Sequence, residues 1–250
     1  MAAAQAATSR DNDMPTPPPT LCLLIPRQSF EQLSSVRNNA RERRVSAVFI
    51  DQPLSRQLDL VRMALPDRHR LGVVLGPSSR GLEGELHTLA SERSLILNLA
   101  TVTESSAVYA ALQTVIAESD LLLLLPDPVA TNADTVYSLL LTSYRAQVPV
   151  AGFSEGLHNA GALVSLYSTA RQQGRQGAEI ASRALARENS LPAPQYPKYF
   201  TVRVNASVAH SLGLHLPAEE ALSAALSGKG AGAGAKPHAS DGPAIQRSEP

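Results

Sequence analysis

The alternation of short apolar runs with longer amphipathic ones between residues 71 and 185 is what most limits the folds open to this chain. Residues 71–75, 95–102, 121–125, 148–153 and 162–167 have the length and the mostly apolar character of strands buried on both faces. Helical spacing governs the segments between them. Residues 82–93 read as a helix. In residues 106–119 Val108, Leu112, Val115 and Ile116 share a face, and in residues 133–147 Ala133, Val136, Leu140 and Tyr144 do so. Residues 171–185 follow as a helix with a face of Gly and Ala, capped by Thr169 with Gln172 three residues on. A repeat of roughly 25 residues is the scale of a βα unit rather than of a solenoid. The expected fold class is α/β, a doubly wound parallel sheet with helices on both faces.

The flanks continue this pattern less regularly. Residues 21–25 and 45–50 read as strands, the second stopped by Asp51-Gln52-Pro53. Residues 30–43 are weakly helical, and residues 55–65 carry Leu58, Val61, Met63 and Leu65 before Pro66 ends them. Residues 191–197 hold three prolines and read as a linker, residues 199–204 as a late strand, and residues 208–212 as a short helix. Residues 1–19 and 228–250 are rich in Ala, Ser, Pro and Gly and are not expected to fold.

Composition removes several classes of function. With 22 basic and 22 acidic residues the net charge is zero, so the electrostatic footprint of a nucleic-acid binder is missing. The one cysteine, Cys22, excludes an internal disulfide and a cysteine metal cage. No apolar run approaches the ~20 residues of a membrane span, so no membrane insertion is expected. The first twenty residues lack the charged start and apolar stretch of an export signal, and the chain as written is expected to remain cytoplasmic. Neither H-E-x-x-H nor G-x-G-x-x-G occurs, and Gly152-Phe153-Ser154-Glu155-Gly156, which has the G-x-S-x-G spacing, is joined by nothing that fixes a base and an acid beside its serine, so no catalytic residue, metal or cofactor is expected, and the chain does not read as an enzyme.

In a doubly wound sheet, ligands bind beyond the carboxyl ends of the strands, near the reversal in strand order. If the strands from residue 71 onward are ordered 2-1-3-4-5, the loops after strands one, three and four converge on one rim, while Thr103-Glu104-Ser105 lies to the side. The first loop, Gly76-Pro77-Ser78-Ser79-Arg80, places Ser78 and Ser79 at a helix start, either as contacts for a carboxylate or phosphate or as caps. In the second, residues 126–132, Asp127 suits a ligand ammonium or hydroxyl, or is a turn aspartate between two prolines. Thr131 stands at the same rim, and it or Asn132 suits a helix cap. The third, residues 154–159, offers Ser154 and Glu155; His158, with no ligand-spaced neighbour, is expected at the surface. The candidate ligand-binding set is therefore Ser78, Ser79, Asp127, Thr131, Ser154 and Glu155.

Several of these pieces, in order, carry a resemblance. They are the crossing segment of residues 46–53, Gln57-Leu58-Asp59-Leu60 with Leu65-Pro66, residues 70–78, Leu125-Pro126-Asp127 and Val148-Pro149-Val150. Residues 161–167, Gly174-Arg175-Gln176, Asn205, Ala209, Leu212-Gly213 and Pro217 complete the set. Together they resemble the substrate-binding proteins of ABC importers, of the tryptophan/tyrosine transport type. The resemblance implies a periplasmic-binding-protein-like fold with one complete lobe plus a remnant of a second. It divides the chain into a disordered tail (1–19), a remnant of the N-terminal lobe (20–52), a C-terminal α/β lobe (53–194), a return segment to the first lobe (195–224) and a second disordered tail (225–250). Asp51, Gln52 and Pro53 become hinge residues on this mapping.

The implied function is binding of a small polar solute, amino-acid-like or an organic acid, in an inter-lobe cleft without chemistry. An ABC permease is the implied partner and the periplasm the implied location. Trp is absent and aromatic residues make up 4% of the chain, so stacking platforms are scarce, which favours such solutes over sugars. Two other classes remain open: a cytoplasmic ligand-sensing lobe, for which a helix-turn-helix segment is missing, and a small α/β enzyme, for which a catalytic constellation is missing.

Overall fold

The computed structural model of the chain describes residues 18–35, 45–186 and 190–230. The first elements are β1 (Thr20–Ile25), α1 (Arg27–Ser35), β2 (Val45–Phe49) and α2 (Leu54–Ala64). A regular series follows: β3 (Arg70–Leu75), α3 (Glu83–Glu92), β4 (Ile96–Thr101), α4 (Val108–Ala117), β5 (Leu121–Leu123) and α5 (Ala133–Arg145). It continues through β6 (Val150–Gly152), α6 (Glu155–Ala160), β7 (Val164–Tyr167) and α7 (Ala170–Leu185). The chain closes with β8 (Thr201–Val204), α8 (Ala206–Ser211) and α9 (Glu219–Gly230).

Six strands form one sheet in the order β4-β3-β5-β6-β7-β8, parallel except for β8, which runs antiparallel to β7. The expected 2-1-3-4-5 order of its parallel strands is the observed one. Leucines 121 to 125 show why the sheet must be covered twice. Side chains alternate along a strand, so Leu121, Leu123 and Leu125 join the core under α2, α3 and α9, while Leu122 and Leu124 join the core under α4, α5 and α6.

β1 and β2 form a separate parallel pair, widened by Gln195, whose N–H donates to Ala47 O and whose carbonyl accepts from Phe49 N. α7 follows β7 of the larger sheet yet packs on this smaller one. Its Gly and Ala face meets β1 closely: a Cβ at Gly177 would lie 2.6 Å from Leu23 Cδ1. Gln173 Nε2 on the same helix donates to Phe49 O at 2.8 Å. On the other side of β2, Phe30 and Phe49 pack edge to face, as do Phe49 and Tyr196.

The chain therefore passes between the two sheets three times, at residues 50–53, at Ser168-Thr169 and at residues 197–200. One hydroxyl joins all three: Ser168 Oγ accepts from Gln52 Nε2 at 2.8 Å and donates to Tyr199 O at 2.6 Å. Arg56 reinforces the junction by donating to Gln52 Oε1 and to Pro197 O, with its guanidinium over the Phe200 ring.

Several elements differ from the expectation. Residues 154–159 are not a loop. Ser154 caps a short helix there, α6, which Gly161 ends in a left-handed conformation at φ +118°. The buried face of α5 is Thr135, Leu139, Leu140 and Ser143, so Ala133 and Tyr144, expected inward, point to solvent. α9 extends to residue 230, through residues expected to be unstructured, because Leu222 and Leu226 are buried against the larger core. The segment 195–224 returns to the smaller sheet only at Gln195 and Tyr196; from Thr201 it pairs with β7, whose edge is otherwise open. The expected helix at residues 30–43 runs from Arg27 to Ser35, and its remaining part lies outside the described residues, as do residues 1–17 and 231–250 of the expected tails.

Leu122 and Leu123 are 0% and 1% exposed and lie on opposite faces of the sheet. Leu122→Ala and Leu123→Ala should each lower stability by about 3 kcal/mol in urea unfolding. A loss from only one of the two would mean that one face of the sheet is not covered.

Candidate functional site

The carboxyl ends of β3, β5 and β6 form the rim that the strand order demands, and one buried carboxylate shapes it. Asp127, 3% exposed, accepts four hydrogen bonds. Its Oδ1 receives the N–H groups of Val129 and Ala130 at 2.8 and 2.9 Å. Its Oδ2 receives the N–H and the hydroxyl of Ser79 at 2.8 and 2.9 Å. Burial alone would raise the Asp127 pKa; the hydrogen bonds from Ala130, Val129 and Ser79 outweigh it and hold the carboxyl below its ordinary value. A side chain at residue 76 would overlap this carboxylate, which is why glycine stands there.

Each of the six candidate residues now has a place. Asp127 and Ser79 are brought together, but facing each other across two loops. Ser79 is 1% exposed, and its hydroxyl goes to Asp127 instead of capping the helical turn that follows. Ser154 Oγ accepts from Leu157 N at 3.1 Å as the cap of α6. Thr131 donates its N–H to Asp127 O, and Asn132, not Thr131, caps α5 in a capping box with Thr135. Ser78 and Thr131 are half-buried at the rim, and Glu155 is exposed in the first turn of α6. The loop after β4, expected to lie apart, is tied in through Ser105, whose hydroxyl donates to Val129 O and accepts from Asn132 Nδ2. Glu83 and Glu85 occupy the first turn of α3 and oppose an anion at that helix start.

His158, expected at the surface, is 9% exposed, because α6 turns it onto β7 and β8; its Nδ1 has no partner. Burial lowers its pKa, as does Arg203, against the opposing charges of Glu219 and Glu155. Burial likewise raises the pKa of Tyr167 at the end of β7.

The smaller sheet faces this rim with groups that sequence reasoning did not single out. Arg27, the first residue of α1, donates its backbone N–H to Asp51 Oδ2 at 2.6 Å and its guanidinium to Tyr196 Oη and Glu31 Oε1, both at 2.7 Å. Glu85 of α3 stands 3.8 Å from the same guanidinium, beyond hydrogen-bonding distance. Burial opposes the charge on Arg27, but Glu31 and Tyr196 more than offset it and hold its pKa above the ordinary value. Burial raises the Asp51 pKa against the Arg27 N–H. Phe30, Phe49 and Tyr196 collect beside Arg27, so a chain poor in aromatic residues concentrates three of them here. Arg27 and Tyr196 are 169 positions apart, and no motif links them. Among the described residues, no group of three or more His, Cys, Asp or Glu is placed to hold a metal ion.

The profile of the family described as ABC transporter substrate binding protein matches residues 38–227. No curated protein matches the chain. Among solved structures, a conserved domain protein from Vibrio cholerae is similar at 26% identity and a TM-score of 0.58, over 72% of this chain and 61% of its own. An ABC domain from Streptococcus pneumoniae, solved in complex with L-Trp, is similar at 15% identity and a TM-score of 0.57, over 70% of this chain and 60% of its own. The ligand-free, open structure of CD0873, a substrate binding protein with adhesive properties from Clostridium difficile, aligns at 20% identity and a TM-score of 0.63, over 87% of this chain and 72% of its own. The last two likenesses are of fold, the periplasmic-binding-protein-like α/β arrangement. The chain spans about six-tenths of the length of the first two structures.

Asp127→Asn should lower stability at pH 7 by about 2 kcal/mol, the scale of hydrogen bonds to a charged acceptor. Because the folded pKa lies below the ordinary aspartate value of about 3.9, the contribution of the carboxylate is complete above that value. It is lost as pH falls through the folded value. Urea unfolding of both forms from neutral to acid pH should show the difference shrinking at the acid end. A constant difference would remove the carboxylate from this role.

Proposed function

The chain belongs to the family of ABC transporter substrate-binding proteins, and from that membership we propose that it binds a small amino-acid-like or organic-acid solute between its two sheets and hands it to an ABC permease. The observation that carries the solute class is the Arg27–Tyr196 pair opposite the rim. A guanidinium offers a carboxylate two parallel donors, and the rings of Tyr196 and Phe49 offer an apolar wall beside it. Glu155 at the rim supplies the opposite charge, suited to an ammonium group. A zwitterion carries a group for each, and Ser78 and Thr131 are proposed as its polar neighbours. Asp127, Ser79 and Ser154 hold the rim in shape rather than touching the solute.

On this reading the larger lobe comprises residues 53–167 and 199–230, and the smaller one residues 20–35, 45–50, 170–186 and 190–196. Asp51, Gln52 and Pro53 form one of three hinge crossings, with Ser168 and Tyr199 on the other two. Closure would rotate the lobes about these few positions. Family membership also supports a periplasmic location, with the permease reading the closed form. No helix among the described residues is long and apolar enough to cross a membrane.

Calorimetric titration of the purified chain with L-amino acids, dicarboxylates and neutral sugars tests the proposal. Binding should appear with the charged solutes, and Arg27→Gln should weaken it at least tenfold, about 1.4 kcal/mol, with the melting temperature little changed. A preference for neutral sugars, or affinity indifferent to Arg27→Gln, would remove Arg27 from the site.

A further inference from the structure

We propose that the chain pairs with a second copy of itself through the outer face of α5, the two helices running antiparallel about a twofold axis near Leu140. While α5 buries Thr135, Leu139, Leu140 and Ser143, its opposite side carries Asp134, Tyr137, Ser138, Leu141, Tyr144 and Arg145. These six follow the three-and-four spacing of a helix–helix seam. Tyr137 is 72% exposed and Tyr144 42%, large apolar surfaces to leave in water. On the adjoining helix α4, Tyr109 is 52% exposed.

The composition of this face is that of an interface core. Residues 105–117 and 135–144 contain no charged side chain, in helices whose exposed sides are ordinarily rich in charge. Tyrosine enrichment with charge depletion is the compositional signature of protein–protein contacts. The patch is roughly 20 Å long and 20 Å wide, from the lengths and diameters of two adjacent helices. That footprint, roughly 400 Å², is about half of the 800 Å² each partner buries in a standard interface, the scale of a weak, concentration-dependent pair.

The occupant follows from the ends of α5. An isologous contact requires each patch to complement itself. Reversing α5 about its midpoint brings Tyr137 beside the partner's Tyr144, Leu141 close to the axis, and Asp134 beside the partner's Arg145. The only two charges of the stripe thus meet their opposites twice, once at each end. The antiparallel helix dipoles reinforce the arrangement.

Sedimentation equilibrium of the full chain across micromolar concentrations tests this directly. A concentration-dependent dimer is expected. Tyr137→Arg with Tyr144→Arg should leave a monomer with unchanged circular dichroism and urea midpoint. Arg145→Asp alone should weaken pairing at least tenfold by setting like charges together, and adding Asp134→Arg should restore it. A wild-type chain that stays monomeric throughout, a dimer indifferent to the tyrosine changes, or a double reversal that fails to restore pairing would each overturn the proposal. Capture of a different protein on this face by a monomeric chain would do so as well.

Discussion

The hydroxyl of Ser168 sits where the chain changes sheets three times, and the rest of the architecture depends on that junction. A single hydrogen bond contributes only about 1 kcal/mol, but here its geometry matters more than its energy. By accepting from Gln52 and donating to Tyr199, Ser168 keeps three crossings side by side. Arg56 adds a second tie through Gln52 and Pro197. Everything on the larger side leaves this point through α2, β7 and β8, and everything on the smaller side through β2, α7 and Gln195. On the hinge proposed above, motion of one sheet against the other would turn on these few backbone positions.

The rim opposite the smaller sheet is organised on a different principle. A carboxylate inside the loops, not at their surface, does the shaping. Asp127 spends all its acceptor capacity on Ser79, Val129 and Ala130, so the loops after β3 and β5 hold one conformation before any solute arrives. The polar groups left open are spaced around a fixed frame. Opposite them, Arg27 is held by Tyr196, Glu31 and Asp51 and keeps its charge despite partial burial. Preorganisation on both sides reduces the ordering that binding would otherwise cost.

What the sequence made legible follows from which signals are local. The leucines from 121 to 125 announce a strand with two buried faces, and the β4-β3-β5-β6-β7 order follows from the fold class such strands imply. The Thr169–Gln172 capping box is equally readable, since its two partners are three residues apart. Other features need neighbours that the sequence does not display. α6 is six residues long with a glycine in its first turn, so its helical period never develops. The Ala133, Val136, Leu140, Tyr144 stripe and the true Thr135, Leu139, Leu140, Ser143 stripe both satisfy helical spacing, and only packing on Val150 and Leu122 chooses between them. Helix α9 is hidden in the sequence for a related reason. Leu222 and Leu226 make a helix only because α2 and β8 are there to receive them. The Arg27–Tyr196 contact is long-range and rests on no motif at all.

Leu23 and Gly177 meet with no room for a methyl group between them, though the whole larger sheet up to β7 lies between them in the chain. On a ribosome that order has a cost. β1 and β2 emerge before α7 and Gln195 and must wait for them before their second face is covered. The larger sheet, by contrast, can begin assembling as each βα unit appears. The smaller unit is therefore completed only after β7 has been made, though two of its strands are made before β3, and during that interval those apolar strands stand uncovered on the nascent chain, where a chaperone would find them.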